Sequence, residues 1–416
     1  MKRVLLFLLL ILPVTTLYAQ STTSLHRMVS GVVYDADSGE ALHNVAVAVL
    51  GTNIGTVTNA DGFFTLKVTA DELQQGLKLT HVGYANKLLS AAEIVQHDGA
   101  LRIRMKQLSL MMHEVTIYGG TARELVEAAI RSIETNYAPN ESLFEAFHRE
   151  TVQKRRSYIA VSEAVMDVYK TGYENRTTWR DKVRLRRGRR LVNHQASDTL
   201  AVKISGGPSL TLYMDLVKNG DELLNEKELD KYKFTLQAPV ILDNRPQYVI
   251  AIEPQVETSY ALFYGRIFID QARLSFTRIE LDLDLSDRIK ATNAMLQRRP
   301  AGLRFRPLGL SFLVTYRHQD GCHYLNYVRS SFRFRCEWKR RLFAAPYTAV
   351  SESVMVDREE HPEIIRNRDI FRKSQIFYDE VDAYADPDYW RDFNIIEPTE
   401  SLEHAVERLR RHNNKE

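Results

Sequence analysis

The sequence predicts a mainly β protein made of two sheet-built bodies, joined by one helix and closed by another. Three observations predict it. Short period-2 apolar runs recur between Gly, Asp and Asn turn signals over about 27–118. Longer alternating runs, rich in aromatic and β-branched residues, occupy about 143–398. Helical spacing marks two segments, within 119–142 and 399–413. A chain of 416 residues has room for two or three domains. Its 44% hydrophobic and 26% charged content suits a globular protein and argues against disorder. The net charge of +3, from 56 basic and 53 acidic residues, is too balanced to imply nucleic-acid binding. Two cysteines exclude a disulfide-rich scaffold and a Cys₄ zinc site.

The chain opens with Lys2 and Arg3, then the apolar run Val4 to Val14, then Leu17 and Ala19 before Gln20. This is the pattern of a secretory signal peptide over residues 1–19, and the run is short of the ~20 apolar residues that span a bilayer. No cysteine stands near the cleavage point to take a lipid anchor, and no later run has the length of a transmembrane helix. The expectation is an exported chain that is not lipid-anchored. Cys322 and Cys336 could bridge only across a turn near Ser330-Ser331. On one straight strand they would stand ~46 Å apart at ~3.3 Å per residue, so two free thiols are expected.

In the first module, Val29 to Tyr34 reads as a strand ended by Asp35-Ala-Asp-Ser-Gly39. Val45, Val47 and Val49 alternate with Ala46, Ala48 and Leu50, a strand expected to be buried on both faces. Asn59-Ala-Asp61-Gly62 is a tight turn, with Asp61 expected to bond backbone amides and Gly62 to take positive φ. Phe63 to Val68, Leu77 to His81 and Leu101 to Met105 continue the strands of a β-sandwich.

The run Ser30-Gly-Val-Val-Tyr-Asp-Ala-Asp-Ser-Gly-Glu-Ala-Leu-His-Asn-Val-Ala-Val resembles the opening of the carboxypeptidase regulatory-like domain, a transthyretin-like sandwich. Gly51-Thr, Gly55-Thr-Val-Thr-Asn-Ala-Asp-Gly-Phe-Phe and His81-Val-Gly-Tyr follow in the same order and spacing. The resemblance implies a fold and a setting: the same domain precedes many TonB-dependent outer-membrane receptors of Bacteroidetes. It implies no chemistry. A zinc peptidase would need His and Glu within one helical turn, a distant second His and a general-base Glu. Of twelve histidines only His404 has a Glu three residues on, Glu407, with only His412 downstream. No peptidase domain is read, no catalytic residue is assigned, and no cofactor or metal is expected.

Thr121 caps the connector helix, on which Leu125, Val126, Ala129, Ile130 and Ile133 share one face, as expected of a helix packed on the next domain. In the second module, strands are read at Phe144 to Lys154, Tyr158 to Tyr169, Tyr248 to Ile252, Tyr264 to Asp270, Phe276 to Leu285, Phe312 to Tyr316, Tyr324 to Val328, Ser331 to Trp338 and Glu352 to Asp357, the last closing the sheet. Ile279, Leu281, Leu283 and Leu285 face one way and Arg278, Glu280, Asp282 and Asp284 the other. Such consecutive long strands predict a large, curved antiparallel sheet, with a half barrel as one form of it. This half resembles the C-terminal region of a Bacteroidetes family of exported proteins that bear the same sandwich, through Phe147-His148-Arg-Glu150-Thr151, Ser162-Glu-Ala, Tyr264-Gly-Arg-Ile-Phe-Ile-Asp270 and Asn394-Ile-Ile-Glu-Pro-Thr-Glu-Ser-Leu402. It departs at His148, where the family would suggest Tyr. In the tail, Thr399 or Ser401 caps a helix whose Leu402, Ala405, Val406 and Leu409 form one stripe, expected to dock on the sheet.

The candidate site is a basic strand. Arg180, Lys182, Arg184, Arg186, Arg187, Arg189 and Arg190 stand against one acid, Asp181, and the strand is read as ending at Gly188. Lys182, Arg184, Arg186, Arg189 and Arg190 are the candidate ligands of an anionic amphiphile, because guanidinium forks fit phosphate and carboxylate. The plainer reading pairs this strand with Glu280, Asp282 and Asp284. His318, Cys322 and His323 cluster at one hairpin turn without a metal-site spacing. Glu150, Glu163 and Asp167 have nothing beyond residue type to make them an acid/base set. The functional expectation is a non-enzymatic envelope protein, periplasmic or outer-membrane associated, that docks on an envelope partner. The alternative is a carrier holding acyl chains in the sheet's concave face.

Overall fold

The computed structural model describes residues 26–97, 99–108, 119–192, 207–296, 303–338, 345–386 and 395–413. Residues 1–19, expected to be a signal peptide, and, in the tail stripe, the Leu409 side chain lie outside what is described.

The first module packs two small sheets. One has the order β4-β1-β7, from β1 (Arg27–Asp35), β4 (Phe63–Val68) and β7 (Leu101–Met105), with β7 parallel to β1. The other has the order β3-β2-β5-β6, from β2 (Ala46–Val49), β3 (Gly55–Val57), β5 (Leu77–Thr80) and β6 (Lys87–Leu89). Val33, Val47, Phe64, Leu66, Leu77 and Leu79 are fully buried between them. β2 differs from its expected double burial. Its valines face this core, while Ala46 and Ala48 are half-buried and line a cleft against the second module. In the Asn59–Gly62 turn it is Asn59 that takes the amides of Asp61 and Phe63, at 2.9 and 3.0 Å. Asp61 instead accepts from the Glu400 amide. Asp35 closes the sandwich. It accepts from the Asp37 and Ser38 amides, the Tyr84 hydroxyl and the Gln107 amide, which together hold its carboxyl well below the usual range.

The second module is one ten-stranded antiparallel sheet that does not close into a barrel. Its strands are β8 (Ser142–Lys154), β9 (Ser157–Lys170), β10 (Lys182–Val192), β11 (Tyr232–Leu242), β12 (Arg245–Pro254), β13 (Phe263–Asp270), β14 (Phe276–Leu283), β15 (Leu303–Gln319), β16 (Cys322–Trp338) and β17 (Ala345–Glu360). The order is β10-β9-β8-β17-β16-β15-β14-β13-β12-β11. The last strand in sequence therefore lies inside the sheet, between β8 and β16. Asp320 and Gly321, both at positive φ, make the tight β15–β16 turn. Cys322 and Cys336 lie on one unbroken strand as free thiols, so the bridge that needed a turn at Ser330-Ser331 does not form.

One sheet face is apolar and covered by the chain itself. Ile250, Ile267, Ile279 and Val314 pack in one core with three covering segments. These are Leu125, Val126 and Ala129 of the Ala122–Arg131 helix, the stretch Leu212 to Leu229, and Phe371, Phe377 and Val381. That helix begins at Thr121, whose side chain takes the Glu124 amide while Glu124 takes the Thr121 amide. The other sheet face carries the sandwich and mixes charged groups such as Arg149 and Glu163 with apolar ones such as Phe147, Tyr327 and Val354. The tail helix Glu400–Asn413 starts at Thr399 and buries Leu402 and Val406 against Val161 and Leu191 of β9 and β10.

Candidate functional site

The joint between the modules is built from the turn residues of the sandwich and from arginines and apolar side chains of the sheet face that carries it. Asn53 donates to the Arg358 carbonyl at 2.9 Å and accepts on its own carbonyl from Arg317 at 2.8 Å. Lys78 pairs with Asp243 at 2.5 Å. The Gly83 amide donates to the Ile241 carbonyl at 2.6 Å. The tail threads between the two bodies. Thr56 donates to the Ile395 carbonyl, and Asn59 donates to the carbonyls of Glu397 and Pro398, all within 3.0–3.2 Å. Ile396 is buried with Val57 of the sandwich and Phe147, Tyr327 and Val354 of the sheet. Arg149 fixes this strap. Its guanidinium reaches the Ile396 carbonyl at 2.5 Å and the Glu163 carboxylate at 2.7 Å, and Glu163 also takes Arg189 at 2.6 Å. Burial alone would raise the Glu163 pKa; the two guanidiniums outweigh it and leave it lowered.

A cleft of about 330 Å³ runs along this joint, lined by β2 and His81 on one side and by the β15–β16 hairpin on the other. His318 and His323 stand opposite each other across the hairpin, ring centroids 4.9 Å apart. Burial pushes His323 down to about 4, with a smaller push from His318. His81 falls to about 4 as well, through burial and then Arg278. Both are neutral at pH 7. Among the described residues no group of three or more His, Cys, Asp or Glu is arranged to hold a metal.

The candidate anion-binding residues all lie on β10, and each has a partner within the chain. Lys182 donates to the Ile365 carbonyl at 2.7 Å. Arg184 pairs with Asp167, and Arg186 with Glu145 at 2.8 Å. Arg189 pairs with Glu163, and Arg190 with Asp382 and the Tyr378 carbonyl. Their counter-ions come from β8, β9 and the 378–386 segment. Glu280, expected here, pairs instead with Arg266 and Arg278. The strand also runs past Gly188 to Val192. Gly188 is required inside it because Val381 crosses there, and a Cβ would lie 2.5 Å from its side chain. Glu163 and Asp167 thus serve as counter-ions, and Glu150 lies 3.5 Å from His148.

A buried ionic cluster escaped the sequence reading. Lys170 lies 2.7 Å from Asp215 and 3.3 Å from Asp181, and Lys218 lies 2.6 Å from Asp181. Asp215 also accepts from the hydroxyls of Tyr173 and Tyr316, at 2.7 and 2.9 Å. Burial lowers Lys218 to about 8, helped by Lys170 and opposed by Asp181. This cluster pins the 207–229 cover to the sheet. Asp181, the lone acid in the basic run, was its one visible sign.

Comparison with known proteins bears on the sandwich. Residues 29–117 match the family model described as CarboxypepD_reg-like domain. The first module is a CarboxypepD_reg-like domain. A 104-residue stretch is 34% identical to TonB-dependent receptor P26 of Formosa agariphila, over 24% of this chain and 10% of the receptor. The match thus spans a tenth of that receptor, which fits an N-terminal CarboxypepD_reg-like domain of the type found ahead of such receptors. Among solved structures, the chain is similar to a putative outer membrane lipoprotein-sorting protein domain from Vibrio parahaemolyticus, at 10% identity and a TM-score of 0.26, over 60% of this chain and 97% of that one. It is also similar to a DUF1329 family protein from Desulfovibrio piger, at 13% identity and a TM-score of 0.24, over 59% and 95%. Scores of this size carry nothing over to this chain. Within the match, Asn53, Lys78 and Gly83 are among the residues that grip the sheet, and Thr56, Asn59 and Asp61 among those that grip the tail.

Proposed function

We propose that the chain is a non-enzymatic, exported protein of the bacterial envelope, periplasmic or associated with the outer membrane, whose two modules act as one docking body for a protein partner. The observation that carries this reading is the filling of the sheet's apolar face by the chain's own helix and by Leu212–Leu229 and Phe371–Val381. An acyl-chain carrier would need that face open. The charges of β10 and of the Lys170–Asp181–Asp215–Lys218 cluster support the same reading, because each closes on another group of the chain. The role left to them is to hold shape.

Crosslinking in the native host, followed by purification of the full chain and mass spectrometry, tests the reading. The expected result is one reproducible crosslinked envelope protein. Recovery of the uncrosslinked chain alone, under conditions where a known envelope complex is captured, would contradict it.

A further inference from the structure

The inter-module cleft holds a cation with no direct ion pair: Asp357 and Asp320 act on Arg317 only from beyond ion-pair distance, and burial and the neighbouring Arg358 outweigh them. Arg317 is half-buried, and its guanidinium donates to the Asn53 carbonyl at 2.8 Å. No carboxylate lies within ion-pair distance of it among the described residues. The three carboxylates in the cleft wall are already engaged: Asp243 by Lys78 at 2.5 Å, Asp270 by Arg245 at 2.5 Å, and Asp320 by Arg358 at 2.9 Å. A partly desolvated guanidinium with no ion pair of its own, beside a second arginine, is costly, and an anion arriving beside it lowers that cost.

Two imidazoles in the same wall are also unsatisfied. His81 Nδ1 and His318 Nε2 are buried and have no hydrogen-bond partner. The Asn44 backbone is among the groups that favour a proton on the His81 ring, while Nδ1 itself has no partner. In the tautomer protonated at Nε2, the neutral ring presents Nδ1 as an acceptor for a hydroxyl or N–H. Asn44 and Thr80 add further amide and hydroxyl groups to the wall. A volume of about 330 Å³ suits a small molecule.

We propose that this cleft binds a small hydroxylated anion, a sugar acid or sugar phosphate, with its oxyanion on Arg317 and its hydroxyls on His81 and His318. Both sources share an anionic group on a polyol, and the test separates them. The site goes beyond the docking role proposed above and stands or falls independently of it.

The full chain, labelled at histidine nitrogen, is titrated with glucuronate, glucose 6-phosphate and uncharged glucose while the imidazole resonances are followed by NMR. Saturable shifts of His81 and His318 are expected with at least one of the anions, while exposed His404 stays still. The responding anion identifies the carboxylate or phosphate class. Glucose should bind about tenfold more weakly or worse, as should the responding anion to Arg317→Gln. No saturable shift with either anion, an equal response to glucose, or equal shifts at His404 would overturn the proposal. The unsubstituted protein decides the matter even where Arg317→Gln fails to fold.

Discussion

Arg149 and Ile396 lie 247 positions apart, yet the guanidinium of one donates to the carbonyl of the other at 2.5 Å. The same guanidinium holds Glu163, which holds Arg189. One buried side chain therefore ties the first strand of the sheet, its basic edge strand and the strap that clasps the sandwich. Arg149→Met leaves Glu163 with one cation and the Ile396 carbonyl without its donor. The expected loss is about 3–5 kcal/mol in denaturant unfolding. Amide exchange should quicken first at residues 395–399, ahead of global unfolding. Unchanged exchange there would show that Arg149 is not the fixing point.

Lys218 gives a second prediction. Lys218→Met keeps length but leaves Asp181 with Lys170, at 3.3 Å, as its remaining cation beside the Thr171 amide and hydroxyl. Breaking a buried pair from one side costs about 3–5 kcal/mol. The loss should appear as protease cleavage within the 207–229 cover while the sandwich stays intact. Cleavage confined to the sandwich would contradict the assignment.

Stability should also fall in mild acid. His323 is held near 4 when folded, against an ordinary 6.5, by burial and by His318, with Asp270 and the Asn136 carbonyl opposing and Arg245 reinforcing. Its folded pKa is depressed, so the unfolded chain takes up the proton first as pH drops. The contribution is fully present above about pH 6.5, falls between 6.5 and 4, and levels off below; for His323 it amounts to about 3 kcal/mol at most. His81 acts in the same direction. Urea unfolding across this window checks it. His323→Gln should flatten the slope by up to one proton.

Gly62 sits at φ 74° with the Val33 carbonyl 2.6 Å from where a Cβ would stand. Gly62→Ala should cost the sandwich about 1–3 kcal/mol, read from thermal unfolding by circular dichroism. A neutral result would mean that the turn relaxes freely.

Much of this fold was legible because alternation reports burial directly. Ile279, Leu281 and Leu283 against Arg278, Glu280 and Asp282 gave β14 its two faces before any coordinates did. Thr121 marked its helix start through capping chemistry, and of the two tail candidates, Thr399 and Ser401, it is Thr399 that takes the Leu402 amide. Long-range pairing was not legible. Nothing local says that β17 returns to pair with β8, so the counter-ions of β10 were sought on β14 when they lie on β8, β9 and the 378–386 segment. β2 was read as doubly buried because Ala and Val look equally apolar in sequence, whereas Ala46 and Ala48 face a cleft that exists only once the modules dock. Lys170, Asp215 and Lys218 carry no spacing signal, since their meeting depends on how the 207–229 cover folds back.

The most direct test of the central claim is lipid extraction and mass spectrometry of the full chain purified from its native envelope. With Leu125, Val217 and Phe377 occupying the apolar face of the sheet, the account predicts no stoichiometric acyl lipid. One bound amphiphile per chain, retained through purification and lost when Phe377 is replaced, would contradict it.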